Sequence, residues 1–175
     1  DFAPFEFFPD LTDDMLEPHL DWMHPRFLDP KSKKLVFAIQ SYLLRTNRHT
    51  ILIDSCIGED KERTRFPNWN LRTNTDYLTK LATVGIAPES VDYVLCTHLH
   101  ADHVGWNTRL INGNWVPTFP NARYVFARSE HDFWREKFTK DPRKYDDGCY
   151  QDSVLPIVES GQATLVDSDH ALDDQ

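Results

Sequence analysis

The sequence predicts an α+β domain in which helices pack on a sheet, and three observations predict it. A helix-spaced apolar series, Leu78, Leu81 and Ala82, stops at Gly85, with Pro88 beyond. The run that follows, Tyr93-Val94-Leu95-Cys96, is apolar on both faces, as a central strand covered on two sides must be. Helix followed by buried strand marks a layered architecture. Finally, 175 residues at 40% hydrophobic content suffice for one core and give no reason to expect two.

The elements follow in chain order. Residues 1–34 carry Pro4, Pro9, Pro18, Pro25 and Pro30 among Phe2, Phe5, Phe7, Phe8, Trp22 and Phe27. Proline at that density blocks long helices, so this segment is expected to be an extended arm packed through its rings. Residues 35–175 form the domain proper. Leu35 to Leu44 is β-rich and Thr50 to Ile53 is a short apolar run; Arg45-Thr46-Asn47-Arg48 has turn chemistry, which predicts a hairpin. Asp54 ends the second strand. Gly58 to Leu71 reads as a long loop. Thr73 or Asn74 can cap the helix that follows, and Asp76 suits its positive end. Asn112-Gly113-Asn114 is a turn between short β pieces, and Arg123 to Ala127 is a strand. Ser129 can cap the next helix, with Asp132 in capping-box position and Phe133, Trp134 and Phe138 on the apolar side. Residues 139–149 read as a polar loop. Val154 to Val158 is helical, with Pro156 in the first turn or at a kink, and Ala163 to Val166 is a last strand.

Charge and cysteine usage narrow the function classes. The net charge of −9 disfavours nucleic acid and anionic membranes, which require concentrated Lys and Arg. Lys61, Arg63, Arg65 and Arg72 cluster locally and are read as a solvated loop rather than an anion site. Cys56, Cys96 and Cys149 are odd in number and widely spaced, which favours reduced thiols and a cytoplasmic setting over a disulfide framework. No apolar run approaches the roughly 18 residues of a membrane span. The chain begins at Asp1, so a trimmed start is expected, with any targeting signal gone.

The chemistry concentrates in six residues, His98-Leu99-His100-Ala101-Asp102-His103. Three imidazoles and a carboxylate are preferred donors for a borderline divalent cation. In an extended segment His98 and His100 point the same way. A turn or helix start then swings Asp102 and His103 to the other side of one cavity. That layout suits two metals roughly 3.5–4 Å apart, His98 and His100 on one and Asp102 and His103 on the other. A metal with an open position lowers the pKa of bound water from 15.7 to about 7, giving hydroxide at neutral pH. Zinc suits these donors, with manganese, iron or cobalt as alternatives. Each imidazole requires an outer acceptor for its second nitrogen, and the sequence leaves that group unnamed. His19, His24, His49 and His131 are read as structural.

Thr97 to Gly105 closely resembles the first metal signature of the metallo-β-lactamase superfamily, His-x-His-x-Asp-His after a buried strand. Ile51-Leu52-Ile53-Asp54 is similar to the family's early strand ending in Asp, and Gly85 to Asp92 to its helix-to-strand approach. Phe119-Pro120-Asn121-Ala122 and Glu130 to Trp134 resemble the lactonase and organophosphate-hydrolase branches. The resemblance implies a four-layer αβ/βα sandwich, of which this chain supplies about the first half, one mixed sheet with flanking helices. It also implies three further ligands, two His and a bridging Asp, that have no match here; His170 lies near the place of one but lacks its glycine and threonine context.

The expected function is a metal-dependent hydrolase whose metal-bound hydroxide opens an ester, most plausibly a lactone, on a small-molecule substrate, with Asp102 as a proton carrier. The arm residues Phe5, Phe7 and Phe8 and the stretch Trp106 to Phe119 are expected to shape an apolar pocket. Phosphotriester, β-lactam and thioester hydrolysis, an iron-dependent oxidoreductase and a non-catalytic metal-binding domain are the alternatives. One sheet alone leaves an apolar face uncovered, so the C-terminal half is expected as a second polypeptide docked on this one.

Overall fold

Short runs of alternating or doubly apolar residues set the sheet, and the computed structural model shows how they pair. It describes residues 2–141, 144 and 146–172. Positions 142, 143 and 145 of the expected polar loop, and the last three residues of the tail, lie outside the described residues. The chain divides into two compact units, Asp1–Ala38 and Ile39–Gln175.

The first unit is not the extended arm its prolines suggest. It folds as three single-turn helices, α1 (Pro4–Phe7), α2 (Asp13–Leu16) and α3 (Leu20–Met23), with a 3₁₀ turn at Glu17–His19. Pro4 and Pro18 sit at the starts of helical turns, where the missing N–H has no partner to lose. Proline therefore limits helix length here without preventing the turn. Phe7 packs on Phe2, Phe8 and Phe37 at ring-centroid distances of 5.2, 4.8 and 5.0 Å. Leu35, expected to start a strand, instead bridges Phe2 and Leu28.

The second unit holds a five-stranded mixed sheet in the order β1-β2-β3-β6-β7: β1 (Tyr42–Arg45), β2 (Thr50–Ile53), β3 (Tyr93–Leu95), β6 (Arg123–Ala127) and β7 (Ala163–Val166). The expected hairpin forms, β1 antiparallel to β2, while β2, β3, β6 and β7 run parallel. β3 lies at the centre, as its two-sided apolar pattern requires. Register places Leu52, Val94 and Tyr124 in one row on one face, all fully buried. Leu81, Val104, Phe119 and Ile157 join them in the core. On the other face Tyr42 and Leu44 are exposed, and Ile53, Tyr93 and Leu95 are half-buried. A separate hairpin, β4 (Thr108–Ile111) with β5 (Asn114–Pro117), turns at Asn112 and Gly113, both at positive φ (51° and 81°), as a two-residue hairpin turn demands.

Helix boundaries differ from the sequence expectation where side chains have other partners. α4 spans Tyr77–Thr83, later than a cap at Thr73 or Asn74 would allow. Glu59 accepts from the Thr75 backbone and hydroxyl (2.6 and 2.9 Å) and keeps that stretch in the loop. α6 starts at Arg128 with no side-chain cap, so Ser129 and Asp132 form no capping box. β6 pairs as far as Ala127 with Val166 and passes straight into the helix. After α5 (Ala101–Val104) and α6 (Arg128–Lys140), α7 (Leu155–Glu159) follows a π turn at Tyr150–Val154, with Pro156 in its first turn.

The basic cluster is the main correction. Lys61 and Arg63 are each only 1% exposed. Arg63 grips both carboxylate oxygens of Asp152 at 2.7 and 2.8 Å. Lys61 donates to Thr108 Oγ1 (2.8 Å) and the Asp152 carbonyl (3.2 Å), and its ammonium lies 3.7 Å from the Trp115 ring centroid. The solvated-loop reading fails because a distant carboxylate and an aromatic face replace water around both cations. Burial pushes Lys61 down to about 8 against the pull of Asp152. Burial raises the Asp152 carboxyl, but Lys61 and Arg63 together bring it below the ordinary range. The long loop is thereby tied to the β4–β5 hairpin and the π turn.

Two variants test this packing. Asp152→Ala leaves two buried cations without their carboxylate and is expected to cost about 3–5 kcal/mol in urea unfolding; a loss below 1 kcal/mol would show the network to be dispensable. Gly105 offers no room for a side chain, since a Cβ there would lie 1.9 Å from the Ile57 carbonyl carbon. Gly105→Ala is expected to destabilise by at least about 2–3 kcal/mol, and a wild-type melting curve would contradict that close approach.

Candidate metal centre

The hexapeptide lies where parallel strands end, the usual ligand position of such sheets. His98 follows β3, and His100 precedes α5, whose first turn carries Asp102 and His103. The helical turn after an extended pair is the geometry the spacing requires. His98 and His103 rings lie 3.9 Å apart by centroid, His98 and His100 4.7 Å. The three imidazoles thus lie close together at the strand ends, with Asp102 beside His103 at 3.4 Å.

Asp54 organises them. It ends β2 at φ 60° and is 6% exposed. Its backbone N–H donates to the Leu95 carbonyl (2.8 Å). Its carboxylate accepts from the Thr97 backbone at 2.8 Å and from the Thr97 hydroxyl at 3.0 and 2.9 Å. Its Oδ2 lies 2.8 Å from His103 Nδ1. Asp54 thus has the position of the outer acceptor the sequence left unnamed, and it leaves Nε2 of His103 to face Asp102. Burial raises the Asp54 carboxyl, but the bonds from His103 and Thr97 bring it below its ordinary value.

His103 is held on both sides. Its Nε2 lies 3.4 Å from Asp102 Oδ2. Hydrogen bonding to Asp102, then to Asp54, pushes His103 up to about 9. Burial, then the neighbouring imidazoles His103 and His100, push His98 down, which keeps it neutral and fit to donate a lone pair. Burial raises Asp102, and His103 more than offsets it. Among the described residues no three His, Cys, Asp or Glu side chains stand in ligating geometry for one ion. The physical reason is visible: Asp102 Oδ2 faces His103 Nε2 at 3.4 Å, and the His98 and His103 rings pack against each other at a 46° tilt. In donor chemistry and proximity the set fits a borderline divalent cation; ligation by His103 requires its Nε2–Asp102 bond to open.

Three supports for this loop were not evident from sequence. Glu130 accepts from the Leu99 backbone and from Trp134 Nε1, both at 3.1 Å, tying the loop to α6. Trp134 in turn stands edge-on to His100 at 5.2 Å. The Cys149 thiol donates to the Leu99 carbonyl at 3.3 Å. Ser55 and Trp106 complete the frame: Ser55 N–H donates to the His103 carbonyl (2.7 Å) and Trp106 N–H to the Ser55 carbonyl (2.8 Å). A Glu in the first turn of a helix after a parallel strand was the one available signal. His170 lies in an exposed turn near the chain's end.

Comparison with known proteins fits this arrangement. The model of the metallo-beta-lactamase superfamily matches residues 35–169. The chain belongs to that superfamily. Among solved structures of similar fold, a "probable metal-dependent hydrolase" from Staphylococcus aureus is 18% identical with TM-score 0.71, covering 99% of this chain and 57% of that one. The hydrolase AbOPH of the beta lactamase superfamily is 22% identical with TM-score 0.71, covering 99% and 56%. AidC, a dizinc quorum-quenching lactonase, is 19% identical with TM-score 0.56, covering 75% and 44%. The chain thus spans about half the length of the structures it matches. No curated protein matches the sequence. Among the described residues no helix is long and apolar enough to cross a membrane.

The Asp54–His103 bond gives a signed prediction for the metal-free protein. His103 is raised above its unfolded value of about 6.5, so its stabilisation is complete below that pH and is lost as pH rises through about 9. Asp54→Asn should bring the NMR-detected His103 midpoint well below 9 and cut metal affinity roughly 10–100-fold. An unmoved midpoint would show that Asp54 does not hold the ring.

Proposed function

We propose that the complete protein is a metal-dependent hydrolase that opens a carboxylic ester, specifically a lactone, on a small-molecule substrate. The observation that carries this reading is the gathering of His98, His100, Asp102 and His103 at the ends of the parallel strands, with Asp54 already seated as outer acceptor for His103. The lactone assignment is supported by the lactonase-like stretches Phe119 to Ala122 and Glu130 to Trp134 and by the lactonase AidC among proteins of similar fold.

In this reading His98 and His100 hold one cation, and Asp102 and His103 a second. The bound cations supply a nucleophile at neutral pH by lowering the pKa of water and polarise the carbonyl under attack. The chain's own residues do the rest. Asp54 fixes the His103 tautomer, and Trp134 steadies the His100 ring from the side. Asp102, released from His103, would accept the proton of the attacking oxygen on its carboxylate and return it to the leaving alkoxide. In this reading the remaining ligands would come from the part of the fold that relatives of similar structure carry beyond this chain's span, and that part would also cover the sheet face that bears Tyr42 and Leu44.

The test uses the complete protein. His100→Ala and Asp102→Ala should each lower lactone turnover at least about 100-fold and reduce metal content per chain by elemental analysis. Unchanged turnover and unchanged metal would refute the reading. Loss of metal with turnover of phosphotriesters but not lactones would keep the centre and reassign the substrate.

A further inference from the structure

The cleft of about 570 Å³ on the β1–α4 side of the second unit is a ligand-sized space that the metal centre does not use. Its walls are apolar: Leu43 from β1, Leu81 and Val84 from α4, and the rings of Tyr77 and Trp106. Those two rings are stacked at 5.3 Å with an interplanar angle of 14°. The wall is fixed from behind, since Tyr77 Oη meets Ser41 Oγ at 2.8 Å and Trp106 Nε1 donates to Thr75 Oγ1 at 3.1 Å. The cleft is therefore built without a ligand and requires little ordering to bind one.

Its charge departs from that of the chain. The molecule carries 28 acidic against 19 basic residues. Yet among the described residues the cleft lining includes Arg72 and Lys80 and no carboxylate. Both cations are exposed, at the rim of apolar walls. Apolar walls with two exposed cations at the rim match a ligand with an aliphatic body and one anionic end.

We propose that this cleft binds an aliphatic monocarboxylate of the medium-chain fatty-acid class, with the chain against Leu43, Leu81 and the Tyr77–Trp106 stack and the carboxylate between Arg72 and Lys80. The site goes beyond the hydrolase reading and does not need it, because none of its walls is a proposed metal ligand.

Tryptophan fluorescence of the complete protein tests this, since Trp69 and Trp106 both line the cleft. Hexanoate, octanoate and decanoate should quench saturably, with Kd falling roughly three- to fourfold per added methylene, as expected when each is buried. Decylamine should not compete. Lys80→Glu should weaken decanoate at least about tenfold by placing like charge opposite the carboxylate. Val84→Trp, at a half-exposed position that tolerates bulk, should weaken it by filling the space. His100→Ala should leave decanoate binding unchanged. The proposal is overturned by absence of saturable binding, by equal binding of decylamine, by an unaffected Lys80→Glu protein, or by loss of binding in His100→Ala, which would place the carboxylate on the metal centre instead.

Discussion

The carboxylate of Asp54 is the joint on which the candidate metal centre depends. It joins the end of β2 to the end of β3 through Thr97, and both to α5 through His103. The last two segments adjoin in sequence, but the end of β2 lies 43 positions before Thr97 and 49 before His103, and three geometries must agree for one carboxylate to serve them. A buried carboxylate is tolerated only when its lone pairs are satisfied, and here backbone, hydroxyl and imidazole donors satisfy it. The same bonds that make Asp54 affordable inside the protein orient His103 outward. Stability and site geometry are therefore one constraint, expressed in one residue.

Around that joint the scaffold is rigid for separate reasons. The close passage of Gly105 against Ile57 leaves no space for a side chain, so α5 follows the β2 loop at backbone distance. Glu130 and Cys149 hold the Leu99 peptide from two other elements. Lys61 and Arg63 lock the long loop down onto Asp152. The loop that carries the proposed ligands is thus held from several elements, which is what preorganised ligation needs. The first unit carries its own small aromatic cluster and requires none of these bonds.

Much of this was legible in sequence, and the pattern of success has a physical cause. The strands at 50–53, 123–127 and 163–166, the Asn112-Gly113 hairpin and the turn into α5 depend on local alternation and local backbone preference, which a single sequence displays. The Pro-rich segment misled because proline forbids long helices but favours the first turn of short ones. Ser129 misled because a strand can feed a helix without a cap. Lys61 and Arg63 misled most: a charge cluster reads as solvated unless its partner is known, and Asp152 lies 89 positions from Arg63. Asp54 shows the same limit. It was visible as an acidic residue at a strand end, but its partner His103 lies 49 positions away, and long-range pairing of this kind leaves no periodicity to read.

X-ray absorption at the metal edge of the complete protein decides whether His98, His100, Asp102 and His103 form a metal ligand set. The account predicts a first shell of nitrogen and oxygen only, near 2.0–2.2 Å if the metal is zinc, with imidazole scattering that weakens in His98→Ala and His100→Ala. A sulfur shell near 2.3 Å, or imidazole scattering that survives both substitutions, would contradict it.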